Sequence, residues 1–201
     1  MAVISTSGDS ATASSAPAAP PAIEARELYR FYHIGDDETQ ALRGVSMRVN
    51  PGEIVAVVGP SGSGKSTLMT CLAGLDEPGG GFVYINGERL TRRDEKTRAS
   101  LRARSIGILL QSGNLFDHLT VRQNVRLKMR LAGQDDGARI GEVLELVGIS
   151  KREHAYPTQL SGGEASRAGL AVALAPKPPI IIADEPTGEV DAATEQRILA
   201  L

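Results

Sequence analysis

The chain has 201 residues, 41% of them hydrophobic and 23% charged, and a formal net charge of −2. That is enough apolar material for one globular domain or two closely packed subdomains, and the overall balance calls for neither a nucleic acid nor an anionic membrane as partner. The single cysteine, Cys71, excludes a disulfide within the chain and argues against a cysteine-based metal site; among Leu68, Met69, Leu72 and Leu75 it reads as a small core residue of a protein kept in a reducing cytosol.

Residues 1–22 are rich in Ala, Ser, Pro and Thr, with no basic start and no apolar run of signal-peptide or membrane-span length, and are predicted to be a disordered tail. "IEARELYRFY" and "ALRGVSMRVN" alternate as half-buried antiparallel strands around a polar loop, "HIGDDETQ", before the turn Asn50–Glu53. "IVAVV", Ile54 to Val58, is a continuous β-branched run predicted to be a buried strand, and "KSTLMTCLAGL" carries helical spacing at Leu68, Leu72 and Leu75. "PGGGFVYINGERL" predicts a turn, a short strand and an Asn86-Gly87 hairpin. "TRRDEKTRASLRARS" reads as a mixed-charge helix entering the strand "IGILL". The cations from Arg89 to Arg104 are interrupted by Asp94 and Glu95 and have no interleaved aromatics, so a solvated helix face is the better reading than a nucleic-acid patch. From Ser112 to Thr158 the pattern is helical, with "TVRQNVRLKMRLAG" and "ARIGEVLELVGI" each closed by glycine. "LSGGEASRAGLAVALA" predicts a further helix, with Ser161 as N-cap and Glu164 at capping-box spacing, and its glycine-led entrance looks like an anion site. "PPIIIADEP" is another buried-strand run.

Chemistry concentrates first in "GPSGSGKST": Gly59, Pro60, Ser61, Gly62, Ser63, Gly64, Lys65, Ser66 and Thr67 fit G-x-x-x-x-G-K-[ST] between a strand and a helix. Glycines let backbone N–H groups face phosphate oxygens, the helix adds its positive end, Lys65 reaches the terminal phosphates and Ser66 offers a hydroxyl to magnesium. Such a loop needs an acid opposite. Asp184, completing the strand "IIIA", is expected to orient the magnesium shell, and Glu185, one step further out, to polarise a water for attack on a γ-phosphate.

Taken together these residues resemble the nucleotide-binding subunit of ATP-binding-cassette (ABC) transporters from about Ile23 onward. "LSGGE" is similar to that family's signature motif. The resemblance implies an α/β fold: a mainly parallel P-loop core with flanking helices, an antiparallel β subdomain and a helical subdomain. The expected divisions are 23–111 for the β and P-loop core, 112–158 for the helical subdomain and 159–201 for the signature helix and the return to the core. It implies that Tyr32 stacks on adenine, with Phe31 or Tyr29 as alternatives if the register differs, and that Gln111 touches magnesium and water. Ser161, Gly162, Gly163 and Glu164 would form the signature contact, and Asp191 would communicate across a dimer while capping the helix "AATEQRILAL". The motif set looks most like the branch containing macrolide exporters, lipoprotein-release ATPases and the cell-division ATPase. Val172 and Val190 depart from it, standing where the family usually carries arginine and leucine.

The resemblance further implies MgATP as the bound nucleotide and a head-to-tail homodimer, in which each ATP lies between the phosphate loop of one copy and the signature helix of the other. A separate integral membrane permease is the expected partner, met by the segment from Gln111 to Leu131. The subunit would be cytoplasmic and peripheral, touching the membrane only through that permease, with no nucleic-acid partner. Export, lipid or lipoprotein extraction, or cell-wall signalling is the leading reading; the alternative is a regulatory ATP-dependent clamp that transports nothing. Ten residues follow Asp191, and His33, His118 and His154 all precede the position of the family's γ-phosphate histidine, so the sequence is expected to be incomplete there and poorly active as given.

Overall fold

A computed structural model describes residues 2–6, 19–34 and 37–184, and its first element departs from expectation. Ala2–Thr6 forms a strand, β1, paired antiparallel with Ile54–Val58, β4, in register from Ala2 opposite Val58 to Thr6 opposite Ile54. Averaged over 22 residues the tail is polar and small, but "AVIST" holds a local Val-Ile pair with β propensity that the average conceals. The end of the tail is also fixed: Ala22 is buried, and its carbonyl accepts a hydrogen bond from the Asn86 amide at 3.0 Å. β4 itself corrects a second expectation. Its apolar run was predicted to be buried, yet Ile54 is 59% and Val58 41% exposed. A β-branched run specifies a strand, but burial requires cover on both faces, and β1 is its strand partner among the described residues.

The expected antiparallel pair extends further than its alternation suggested. β2 (Ile23–Ile34) and β3 (Asp37–Val49) run from Ile23 opposite Val49 to Ile34 opposite Asp37, so His33, Ile34 and Asp37 to Gln40 of the predicted polar loop belong to the strands. Register shifts at Ala25/Leu28 accompany a left-handed Glu27 (φ 50°), whose amide donates to Ser46 Oγ at 2.9 Å. β5 (Gly80–Ile85) joins the other edge of β2, and β6 (Glu88–Arg89) follows through the predicted Asn86-Gly87 turn, both residues having positive φ (49° and 79°).

α1 (Lys65–Leu72) touches β2 and β3, and Leu28, Leu42, Leu68, Cys71, Val83, Ile85 and Leu90 are fully buried. The helix is shorter than its leucine spacing implied: Gly74 turns left-handed against Leu90, leaving Leu75 44% exposed. Burial pushes the Cys71 thiol up to about 11, which fits a packing residue. The cation-rich stretch does meet aromatics, though not in sequence: Arg89 and Arg92 stand over the Phe82 ring at 6.0 and 4.7 Å.

The chain divides into two compact units after Arg98, inside α2 (Glu95–Ser105). The physical reason is that β7 (Ile106–Leu109) pairs in parallel with β8 (Ile180–Ala183) and packs on α5 (Gly162–Leu174), so it belongs with the second unit. α3 (Val121–Leu131) and α4 (Gly137–Leu146) complete that unit as the predicted helices, closed by left-handed Gly133 and Gly148. Val121, Val125, Met129, Ile140, Val143, Leu144, Leu170 and Ala171 form its core, and Val172, one of the two departures from the family pattern, packs against it.

Candidate functional site

The phosphate loop is shaped by its glycines and by what its helix lacks. Gly64 starts α1 with φ 90°, and a Cβ there would meet the Ala41 carbonyl oxygen at 2.5 Å, so only glycine fits. Ser63 N donates to Pro60 O at 3.3 Å and Leu68 N to Gly64 O at 2.8 Å, closing the turn and the first helical bond. Lys65 Nζ folds back to donate to the Gly59 and Pro60 carbonyls at 3.0 Å each, so its charge is held by two neutral oxygens. α1 has no side-chain cap and no acid in its first turn. Ser63 Oγ is buried with no partner among the described residues. A helix start with no side-chain cap, an orphaned hydroxyl and a lysine that meets no carboxylate among the described residues together fit an anionic oxygen cluster such as a nucleotide's phosphates. Pro60, Ser61, Gly62 and Ser66 are exposed, and Thr67 is half-buried.

Tyr32 is tied to the back of α1. Its hydroxyl donates to Asp76 Oδ2 at 3.2 Å, and the Arg30 guanidinium, bidentate on Asp76 at 2.8 and 2.9 Å, lies 4.8 Å from the ring centre. Asp76 N in turn donates to Thr70 O at 3.2 Å. One face of the ring is therefore occupied by a cation. Of the alternatives, Tyr29 rests on Gly44 and Gly80, and Phe31 on Gly79.

In the second unit the parallel register places the ends of β7 and β8 abreast, with Leu109 opposite Ala183 and Asp184 N donating to Leu109 O at 2.8 Å. Gln111 and Asp184 thereby line one cleft of about 580 Å³, with Asp117, Gly162 and Ser166 also on its wall. Asn114, which sequence reasoning did not single out, shapes the segment after Gln111: its amide accepts from Leu110 N at 2.8 Å and donates to Leu110 O at 2.6 Å, against Gly169 of α5. No spacing rule identifies such an asparagine, because its partners are backbone atoms and a distant glycine.

The signature helix α5 has the predicted capping box. Glu164 N donates to Ser161 Oγ at 3.3 Å and Ser161 N to Glu164 Oε2 at 2.8 Å, with Gly162 and Gly163 as the first helical residues. The entrance carries its own carboxylate, which sharpens the expectation of a plain anion site. Glu164 is held down at about 2, by the Ser161 amide first and then by Arg152, whose Nε donates to Oε1 at 2.8 Å. The far end of α5 is also met: Arg139 of α4 donates to the Leu174 and Ala175 carbonyls at 3.3 and 3.2 Å. Lys65 and Ser66 belong to the first unit, and Gln111, Ser161 and Asp184 to the second. Glu185 and Asp191 lie outside the described residues, as does Val190.

A glycine-loop helix start without a side-chain cap in the first unit, and in the second a strand-end carboxylate and a glutamine lining one cleft, are each features of phosphate-binding α/β proteins. Residues 42–188 match the ABC transporter family. The chain is 46% identical over 182 residues to an uncharacterized ABC transporter ATP-binding protein of Thermotoga maritima, covering 89% of this chain and 78% of that protein. It is 40% identical to the lipoprotein-releasing system ATP-binding protein LolD of Alcanivorax borkumensis, over 90% of this chain and 81% of LolD. It is 42% identical to the methionine import ATP-binding protein MetN of Brucella abortus, over 90% of this chain but 48% of MetN, so it spans about half of that relative. In structure it is similar to the dimeric MJ0796 bacterial ABC transporter cassette, with a TM-score of 0.83 at 35% identity, covering 89% of this chain and 80% of that one. A post-hydrolysis state of the same cassette, bound to ADP and Pi, matches equally in TM-score. The chain belongs to the ABC transporter family, as an ATP-binding subunit of its ATPase type. Among the described residues no helix is long and apolar enough to cross a membrane.

Proposed function

We propose that this chain hydrolyses ATP in a head-to-tail dimer and that closure of the dimer drives a separate membrane permease. The observation that carries the reading is the entrance of α1, where Lys65 rests on neutral carbonyls, the Ser63 hydroxyl has no partner among the described residues, and the helix start carries neither a side-chain cap nor an acid in its first turn. Tyr32 would stack on adenine with the ring face opposite Arg30. Magnesium held by Ser66, Gln111 and Asp184 would neutralise charge on the β- and γ-phosphate oxygens. Glu185, next in sequence after Asp184, would take a proton from the attacking water as its oxygen bonds to the γ-phosphorus and the bond to the leaving ADP oxygen breaks. Ser161, Gly162 and Gly163 of a second copy would close on the γ-phosphate, so closure depends on a group that hydrolysis removes; Asp191 would relay the state across the interface. The dimeric MJ0796 cassette supports this assembly by likeness.

The subunit would sit at the cytoplasmic face of the membrane, touching it through the permease. An export or lipid-extraction type rests on the motifs "GLDEP", "HLTVRQNV" and "YPTQLSGGE" and on the likeness to LolD. Glu185→Gln is the direct test of the dimer: it should elute as a dimer with ATP and as a monomer without, and elution that ignores ATP would overturn the proposal. Stimulation of turnover by a four-helix permease with a large extracytoplasmic domain tests the transport type; stimulation by a methionine-import permease instead would reverse the direction.

A further inference from the structure

The turn before α5 carries a contact that the capping box does not require. Arg152 lies in the 3₁₀ turn Ser150–Arg152, a segment fixed to the start of α3. Val121 N donates to Ala155 O and Arg122 N to Glu153 O, both at 2.9 Å, and the Arg122 guanidinium pairs with the Glu153 carboxylate at 2.5 Å. From that fixed segment Arg152 Nε reaches Glu164 Oε1 at 2.8 Å, while the other oxygen of the same carboxylate receives the Ser161 amide at 2.8 Å. The Glu164 side chain is 19% and that of Arg152 50% exposed, so the arginine is the solvent-facing member of the pair. Ser161 Oγ is engaged as an acceptor, which leaves its proton for an outside acceptor.

This arrangement has an electrostatic problem that Arg152 answers. A γ-phosphate approaching Ser161 meets a helix end whose positive pole is already satisfied by the Glu164 carboxylate, so the incoming anion faces a like charge within the same turn. We propose that Arg152 is a positioning residue for ATP-driven dimer closure: it fixes Glu164 on the Ser161 amide and cancels its charge, so that the signature turn can receive phosphate. The inference rests on the reading of Ser161 to Gly163 as the phosphate contact. Glu164 being held down at about 2 means that the carboxylate is ionised throughout the working range, so its charge always has to be met. Lys151, Arg167 and Glu145, which line the cleft beside this pair, are the neighbouring charged groups.

A double-mutant cycle on the full chain tests it. Arg152→Ala should raise the KM for ATP on the order of tenfold and weaken ATP-dependent dimerisation, with the affinity of single subunits for a fluorescent ATP analogue changed less. Arg152→Lys keeps the charge on a one-donor contact and should retain most of the turnover, which a loss of fold in the alanine variant would not mimic. In the Glu164→Gln background, where the amide oxygen can still accept from Ser161 N without a charge to cancel, removing Arg152 should cost less than twofold relative to Glu164→Gln alone. If Arg152→Ala costs the same in both backgrounds, or nothing in either, the proposal is overturned. If Ser161→Arg leaves hydrolysis intact, the phosphate-contact reading itself fails, and the role of Arg152 falls with it.

Discussion

Two helices of this chain begin at glycine-rich turns, and they leave their first amides in opposite states. α1 opens at a left-handed Gly64 with no side-chain cap and no acid in its first turn, and its lysine rests on neutral carbonyls. α5 opens at Ser161 with a complete capping box, an arginine on the capping carboxylate, and a second arginine on the carbonyls at its far end. A helix end that is energetically incomplete alone is suited to hold a ligand through every state of a cycle. One that is complete alone is suited to meet the ligand only transiently. That difference separates the half of the site that would bind ATP from the half that would report on it.

The largest expected effects separate the two entrances directly. Lys65→Ala removes the donor proposed to leave its two carbonyls for phosphate charge and should lower turnover on the order of 10²–10³-fold, with ATP binding lost as well. Ser161→Arg should abolish hydrolysis by a comparable factor while single subunits still bind a fluorescent ATP analogue nearly as the parent does. Equal loss of binding in both would erase the contrast and remove Ser161 from its assigned role. Gly64→Ala is the next in size: its Cβ would meet the Ala41 carbonyl, and a left-handed alanine costs about 1–3 kcal/mol. Denaturant melts should show that loss together with weaker nucleotide binding; a variant with parental stability and affinity would mean that the loop does not need its left-handed start.

How much of this contrast was legible beforehand depends on the range of the interactions. The Gly64-Lys65 loop, the Ser161–Glu164 box and the helix closures at Gly133 and Gly148 are local patterns, set within a few residues by backbone sterics and hydrogen bonding, and they stand where the sequence predicted them. The coupling of Arg152 to Glu164, of Arg139 to the end of α5 and of Asn114 to Gly169 joins residues 12 to 55 positions apart, for which no periodicity exists. β4 shows the same limit in reverse. Its composition fixed strand conformation, but which face is covered is a property of its neighbours, so the predicted burial did not follow. Val3 and Ile4 were hidden for a third reason, because a tail-wide composition is blind to five residues.

Smaller effects probe how independent α5 is of its neighbours. Thr120→Ala removes the cap of α3, the helix whose first turn holds the Glu153–Ala155 segment from which Arg152 reaches out, and should cost about 1 kcal/mol in a denaturant melt. If the self-capped entrance depends on that segment, turnover should fall more than the melt alone explains; an unchanged turnover would show α5 to be held by its own box.

The smallest effect expected is one of pH, and its sign follows from the depressed Glu164 carboxyl. A carboxyl held at about 2 in the fold, against an ordinary value of 4.5, contributes stability that is fully present above 4.5 and is lost as pH falls through 2. The α5 entrance should therefore keep its geometry and charge from pH 5 to neutrality, and no Glu164 step should appear in the turnover profile there. Carboxyl NMR should place the Glu164 midpoint near 2 in the parent, and nearer its ordinary value in Arg152→Ala, with the Ser161 amide alone holding it below. A parent midpoint above 4 would mean that the entrance is not capped by its own anion in solution, and the two helix starts would then differ only in sequence.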